Sequence, residues 1–84
     1  MAATAIGSWR PRWRELSGDV WFCEGPGATE VLLEPVGGGR WRWVVSEHTV
    51  TALEQRAAGE TSDRGKAAMA AERVCRRVEA GAQK

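Results

Sequence analysis

The sequence predicts an α+β fold, in which an antiparallel sheet of three to five strands packs on one C-terminal α-helix. Short segments rich in tryptophan and valine alternate with glycine-containing turns from residue 9 to about residue 58, which is typical of an antiparallel sheet. An alanine-rich segment at about residues 63–80 follows, and its apolar residues recur at helical spacing. Because 84 residues suit one domain, we expect a flexible tail at residues 1–8 and a single domain at residues 9–84.

The sheet is predicted to begin with a segment in which tryptophan and arginine are interleaved, residues 9–14. Pro11 cannot donate a hydrogen bond to a neighbouring strand, so this segment is either an edge strand or an extended arm. A turn at Ser17-Gly18-Asp19 leads into residues 20–23, whose β-branched and aromatic content predicts a strand. Another strand is predicted at residues 29–36, after a Gly-Pro-Gly break.

The clearest strand pattern lies in the hairpin that follows. Its turn is Gly37-Gly38-Gly39, and glycine readily takes the positive φ angles that a tight hairpin turn needs. Side chains alternate along a strand, so Trp41 and Trp43 share one face while Arg40 and Arg42 share the other. The remaining strands are predicted at residues 40–45 and, from a weaker pattern, at residues 51–58 after a turn near residues 46–48.

A single helix is predicted at the C-terminal end. Thr61 or Ser62 is expected to cap its first turn, and Gly81 is expected to end it. One face of this helix carries small apolar residues, Ala67, Ala71, Val74 and Val78. Since small side chains leave room for large ones, we expect the indoles of Trp41 and Trp43 to lie under the helix.

Net charge and cysteine content limit the classes of function that the sequence supports. The formal net charge of +1 indicates neither nucleic acid nor membrane, although residues 1–14 carry only basic and residues 15–39 only acidic charges. Cys23 and Cys75 form no metal-binding motif with His48. A disulfide would require the fold to bring the two cysteines together, and buried free thiols are the expected state. The sequence therefore predicts a cytoplasmic protein with no membrane partner, no metal and no cofactor.

No group of residues predicts catalysis. His48 is the one histidine, and the carboxylates are scattered over predicted turns and strand edges, so nothing pairs an acid with a base. The Gly37–Gly39 run lacks the Lys-Ser or Lys-Thr that follows the glycines of a phosphate-binding loop. We therefore expect a protein that is not an enzyme.

Two sets of residues are candidates for binding a partner. Arg40 and Arg42 lie on the strand face opposite the tryptophans, where guanidinium groups can contact phosphates or simply face water. Trp9, Arg10 and Arg12 lie on the predicted arm, and tryptophan and arginine are the residues most enriched at the centres of binding surfaces.

Three segments carry a resemblance to known families: Arg40-Trp41-Arg42-Trp43-Val44-Val45, Ala58-Gly59-Glu60-Thr61-Ser62, and Ala67-Ala68-Met69-Ala70-Ala71. Together they resemble the sheet-and-helix half of the plant ethylene-response-factor type domain and of the arm-binding domain of tyrosine recombinases. The resemblance implies that basic residues across the sheet face DNA, which here corresponds to Arg40 and Arg42. The small size, the tryptophan content and the lack of an active site also resemble phage and prophage accessory proteins, which include anti-CRISPR inhibitors.

We therefore expect a small binding protein that acts by contact with a larger protein or nucleoprotein complex, as a phage-type inhibitor in the host cytoplasm would. The alternative is a nucleic-acid-binding module that uses Arg12, Arg40 and Arg42. A homodimer, paired through the edge at residues 9–14, is a third interpretation.

Overall fold

The computed structural model describes residues 9–82 and shows a five-stranded antiparallel sheet packed on one C-terminal helix. Each strand pairs with the next one in sequence, so the spatial order is β1-β2-β3-β4-β5. The predicted α+β fold is therefore confirmed, while the tail predicted at residues 1–8 lies outside the described residues. The elements are β1 Arg14–Ser17, β2 Val20–Glu24, β3 Thr29–Gly37, β4 Arg40–His48, β5 Leu53–Thr61 and α1 Arg64–Ala82.

Glycine-containing turns connect the first four strands, as predicted. Gly18 and Asp19 form the β1–β2 turn, with φ angles of 52° and 70°, and positive φ at both central residues is the mark of a two-residue hairpin. Gly37, Gly38 and Gly39 between β3 and β4 have φ angles of 94°, 62° and 76°. These hairpins fix the register between neighbouring strands, and the register decides which side chains face the helix.

The core lies between the sheet and one face of the helix. The sheet contributes fully or nearly fully buried side chains from β2, β3 and β4, and the helix contributes two alanines and one cysteine. Small helix residues therefore meet larger sheet residues, which is the packing that the sequence predicts. The buried apolar residues are Cys23, Val31, Leu33, Val45, Ala67, Ala71 and Cys75.

The tryptophans surround this core rather than fill its centre. Trp41 and Trp43 lie on the helix side of β4 and pack, half-buried, against the core residues. Trp43 is directly opposite Gly59 on β5, and a Cβ atom at Gly59 would come within 2.8–3.0 Å of the indole. The indole therefore needs a glycine beside it. The two tryptophans are on the predicted face, and Arg40 and Arg42 are on the opposite one.

The ends of several elements differ from the sequence prediction. The last strand, β5, continues through Gly59, Glu60 and Thr61, beyond its predicted end at residue 58. The helix is capped by Asp63, whose carboxylate accepts the backbone N–H of Lys66 at 2.8 Å, and not by Thr61 or Ser62. Gly81 does not end the helix, which continues to Ala82. The chain turns at residues 49–52, where the Thr49 N–H donates to the Ala52 carbonyl at 2.7 Å.

Within residues 9–82, no helix has the length and apolar character needed to cross a lipid bilayer. Cys23 and Cys75 are both buried and both free thiols. Burial raises the pKa of the Cys75 thiol from 9.0 to about 11, and the negative charges of Cys23 and Glu72 contribute to that increase.

The contact between Ala71 and the sheet is tested by enlarging the side chain. Ala71 has no exposed surface, so Ala71→Leu should overpack the core and lower the free energy of unfolding by about 1–3 kcal/mol. Met69→Leu places leucine on the exposed outer side of the same helix, where the native side chain is 61% exposed. Thermal unfolding should show a clear loss for the first variant and almost none for the second.

The buried Cys75 thiol predicts a loss of stability at alkaline pH. Above pH 9 the unfolded chain releases the thiol proton while the folded chain retains it up to about pH 11. The stability that this thiol contributes is therefore complete below pH 9 and is lost as the pH rises towards 11, by about 2–3 kcal/mol at most. The sequence has no tyrosine to titrate in that range. Urea unfolding from pH 8 to 11 should show a steeper decline for the native chain than for Cys75→Ala.

Candidate binding groove

The N-terminal arm, residues 9–13, is anchored to the helix by hydrogen bonds from two of its residues. The Trp13 indole N–H donates to the Glu72 carboxylate at 2.8 Å, and the Trp9 backbone N–H donates to the Glu79 carboxylate at 3.1 Å. Since the earlier arm residue meets the later helix residue, the arm runs antiparallel to the helix. Charge-assisted hydrogen bonds of this kind are stronger than neutral ones, so the arm has a defined position.

Trp9 helps to hold the arm in place through contacts of both its backbone and its ring. Its indole N–H donates to the Glu24 backbone carbonyl at 2.9 Å. The Arg76 guanidinium lies over its ring, 5.2 Å from the centroid, and donates to the Trp9 carbonyl at 3.1 Å. Trp9, which the sequence predicts to contact a partner, is therefore half-buried within the chain.

The arginine side chains of the arm lie on the side opposite its tryptophans. In an extended chain alternate side chains face opposite sides. Here Trp9, Pro11 and Trp13 are half-buried while Arg10 and Arg12 are exposed, as is Arg14 at the start of β1. The three arginines border an open groove of about 570 Å³. We call it the arginine groove, and it is lined by Trp9, Arg10, Arg12, Trp13, Arg14, Phe22, Glu24 and Gly25.

The groove carries an excess of positive charge. Arg14 lies directly opposite Phe22 in the β1–β2 ladder, and its guanidinium is 5.1 Å from the ring centroid. Across the part of the chain that the structure describes, neither Arg10 nor Arg12 forms an ion pair. Glu24 is the one acidic residue in the lining. The groove can therefore attract a carboxylate or another anionic group.

Arg40 and Arg42 lie elsewhere and in a different electrostatic setting. Both are on the sheet face that points away from the helix. The Nε atom of Arg40 is 3.0 Å from the Glu60 carboxylate, and that of Arg42 is 3.9 Å from the Glu34 carboxylate. Each charge is thus balanced by a neighbour on an adjacent strand, and these two arginines form a site separate from the arginine groove.

The structure therefore brings together three of the five nominated residues, Trp9, Arg10 and Arg12, and adds others that sequence reasoning missed. Arg14 continues the alternation of the arm, and that pattern is enough to find it. Phe22 and Glu24 lie on the neighbouring strand, and only the register of β1 and β2 places them beside the arm.

Reactive groups elsewhere are sparse. The His48 ring forms a hydrogen bond with the Glu30 carboxylate, Nε2 to Oε1, at 2.7 Å on the exposed end of β4. Between Trp9 and Ala82, no cluster of three histidine, cysteine, aspartate or glutamate side chains has a geometry that could hold a metal ion.

Comparison with protein-family models, with curated proteins and with solved structures found no match for this chain. The functional proposal therefore rests on the geometry of the arginine groove.

The anchoring role of Trp13 is tested by a matched pair of substitutions. Trp13→Phe removes an indole N–H that donates to Glu72, whereas Trp21→Phe removes a buried indole N–H that has no hydrogen-bond partner among residues 9–82. Both changes remove the same atoms. Because an unsatisfied donor is costly to bury, Trp13→Phe should be the more destabilising by about 1.5–3 kcal/mol, measured by urea unfolding. Equal losses in the two variants would contradict the anchoring role.

Proposed function

We propose that this chain is a small, non-catalytic binding protein that recognises an acidic surface of a larger protein or nucleoprotein complex through the arginine groove. One observation carries the proposal. Arg10, Arg12 and Arg14 line a single groove, and Arg10 and Arg12 form no ion pair in the described structure.

The fixed arm supports binding because it lowers the entropic cost of forming a complex. Trp9 and Trp13 are tied to the helix and to β2 by hydrogen bonds, so the backbone that carries the arginines is ordered before the partner arrives. A surface ordered in advance loses less conformational freedom on binding. Arginine beside aromatic rings is also the composition most enriched among residues that dominate binding energies.

The two sets of arginines support different expectations for nucleic acid. A DNA-binding sheet would use Arg40 and Arg42, as the resemblance to ethylene-response-factor and recombinase domains implies. On that face, however, Glu34 and Glu60 neutralise these arginines and would repel phosphates. We therefore favour a protein partner and treat nucleic acid as the alternative outcome of the test.

The resemblance to phage accessory proteins extends the proposal to a mode of action. Proteins of that class act by occupying a surface on a larger host assembly, and an anti-CRISPR-type inhibitor works in that way. The groove would supply the contact, and the rest of the domain would supply bulk that blocks access to the assembly.

The test compares two double variants of equal charge. Arg10→Ala/Arg12→Ala removes arginines without a described counter-charge, whereas Arg40→Ala/Arg42→Ala removes arginines that are already paired. Binding of a fluorescent 20-residue polyglutamate peptide, measured by anisotropy at 50 mM salt, should weaken at least tenfold for the first variant, about 1.4 kcal/mol. It should change less than threefold for the second.

A fluorescent 20-nucleotide oligothymidylate is measured in parallel. We expect it to bind more weakly than the peptide at every salt concentration. Tighter binding of the oligonucleotide, with affinity that falls steeply as salt rises and is lost in the Arg40→Ala/Arg42→Ala variant, would establish the nucleic-acid alternative instead.

A further inference from the structure

The sheet has a second face that no described residue covers, and an apolar line of side chains crosses it. The register places Phe22, Leu32, Val44 and Ala58 directly opposite one another on the four adjacent strands β2 to β5. The first three are half-buried and Ala58 is exposed. We call these four residues the apolar row. Three strand spacings make it about 14 Å long.

The apolar row and the arginine groove are continuous. Phe22 belongs to both, because it lines the groove and also begins the row. Arg14 is its direct neighbour on β1, with the guanidinium stacked on the ring. The combined surface is therefore basic at the arm and apolar along the strands that follow.

The borders of the apolar row are polar and largely neutralised. On one side Glu34, Arg42 and Glu60 lie opposite one another on successive strands, and both glutamates have an arginine partner. On the other side the Glu30 carboxylate forms a hydrogen bond with the His48 ring at 2.7 Å. The excess of positive charge on this face therefore lies at the groove, where the arginines outnumber Glu24.

We infer that this face binds an amphipathic helix of a partner protein, which lays one line of apolar side chains on the apolar row and places carboxylates at the end that meets the arginine groove. The inference rests on the proposed function and names the partner element. A helix advances about 5.4 Å per turn, close to the strand separation of about 4.8 Å. One apolar side chain per turn therefore meets one strand, and about three turns span the row.

Two observations favour this occupant over the others. Beyond Phe22 the row is aliphatic, so it offers no ring on which a nucleic-acid base can stack, and the neighbouring glutamates disfavour phosphate. A second copy of the chain would have to supply free carboxylates to the arginine groove, yet Glu30, Glu34 and Glu60 on this face are already paired.

The test uses two synthetic 16-residue peptides of identical composition. In the patterned peptide, leucines fall at positions i, i+4, i+7 and i+11, and four glutamates occupy the first turn. In the scrambled peptide, the same residues are spread evenly around the helix. Isothermal titration calorimetry should show the patterned peptide binding at least tenfold more tightly, with a more negative heat-capacity change because apolar surface is buried.

Variants of the apolar row then locate the site. Leu32→Gln/Val44→Thr should weaken binding of the patterned peptide at least tenfold and leave the scrambled peptide unchanged. Ala58→Lys alters an exposed residue, so it should preserve the fold even where the double variant does not. It should weaken binding of the patterned peptide at least threefold. Met69→Gln, on the outer surface of the helix with 61% of Met69 exposed, is the matched control and should have no effect.

The outcomes separate this inference from the proposed function. Suppose that Arg10→Ala/Arg12→Ala weakens binding of both peptides while Ala58→Lys and Leu32→Gln/Val44→Thr have no effect. The proposed function of the groove then stands, and the apolar row is not the site. Equal affinity for the two peptides also overturns the inference. A concentration-dependent dimer in sedimentation analysis that Ala58→Lys abolishes would assign the row to a second copy of the chain instead.

Discussion

The contact between the small side chains of α1 and the centre of the sheet determines the rest of the structure. Ala67, Ala71 and Cys75 have no exposed surface, and they lie against Val31, Val45 and their neighbours. A larger side chain at these helix positions would push the helix away from the sheet. Close approach also fixes the position of Glu72 and Glu79, which accept hydrogen bonds from the arm. The binding groove therefore depends on the size of residues that do not line it.

The same contact makes the two sheet faces unequal. One side of each strand is fixed against the helix, and alternation then fixes the opposite side as well. Leu33 and Trp43 face the helix, so Leu32 and Val44 must face away from it. The sheet thus carries apolar residues on both faces, and the one helix among residues 9–82 covers a single face.

The sequence predicts what depends on local patterns and does not predict what depends on long-range register. The face of Trp41 and Trp43 follows from alternation within one strand, and the glycine turns follow from backbone freedom. The pairing of Arg42 with Glu34 depends instead on the register of β3 against β4, which no local pattern contains. The helix start shows a similar limit. Thr61, Ser62 and Asp63 are all good capping residues, and only the end of β5 decides that Asp63 is the cap.

The proposed site also explains why arginines of similar sequence context differ in what they can do. A carboxylate beside an arginine offsets part of the arginine's charge, so a new anion is attracted less strongly than it would be to an unpaired arginine. Arg40 and Arg42 are in this position. Arg10 and Arg12 form no ion pair among the described residues, and Trp9 and Trp13 already hold their backbone. The free energy available for binding therefore differs between the two sets, although in the sequence both are arginines interleaved with tryptophan.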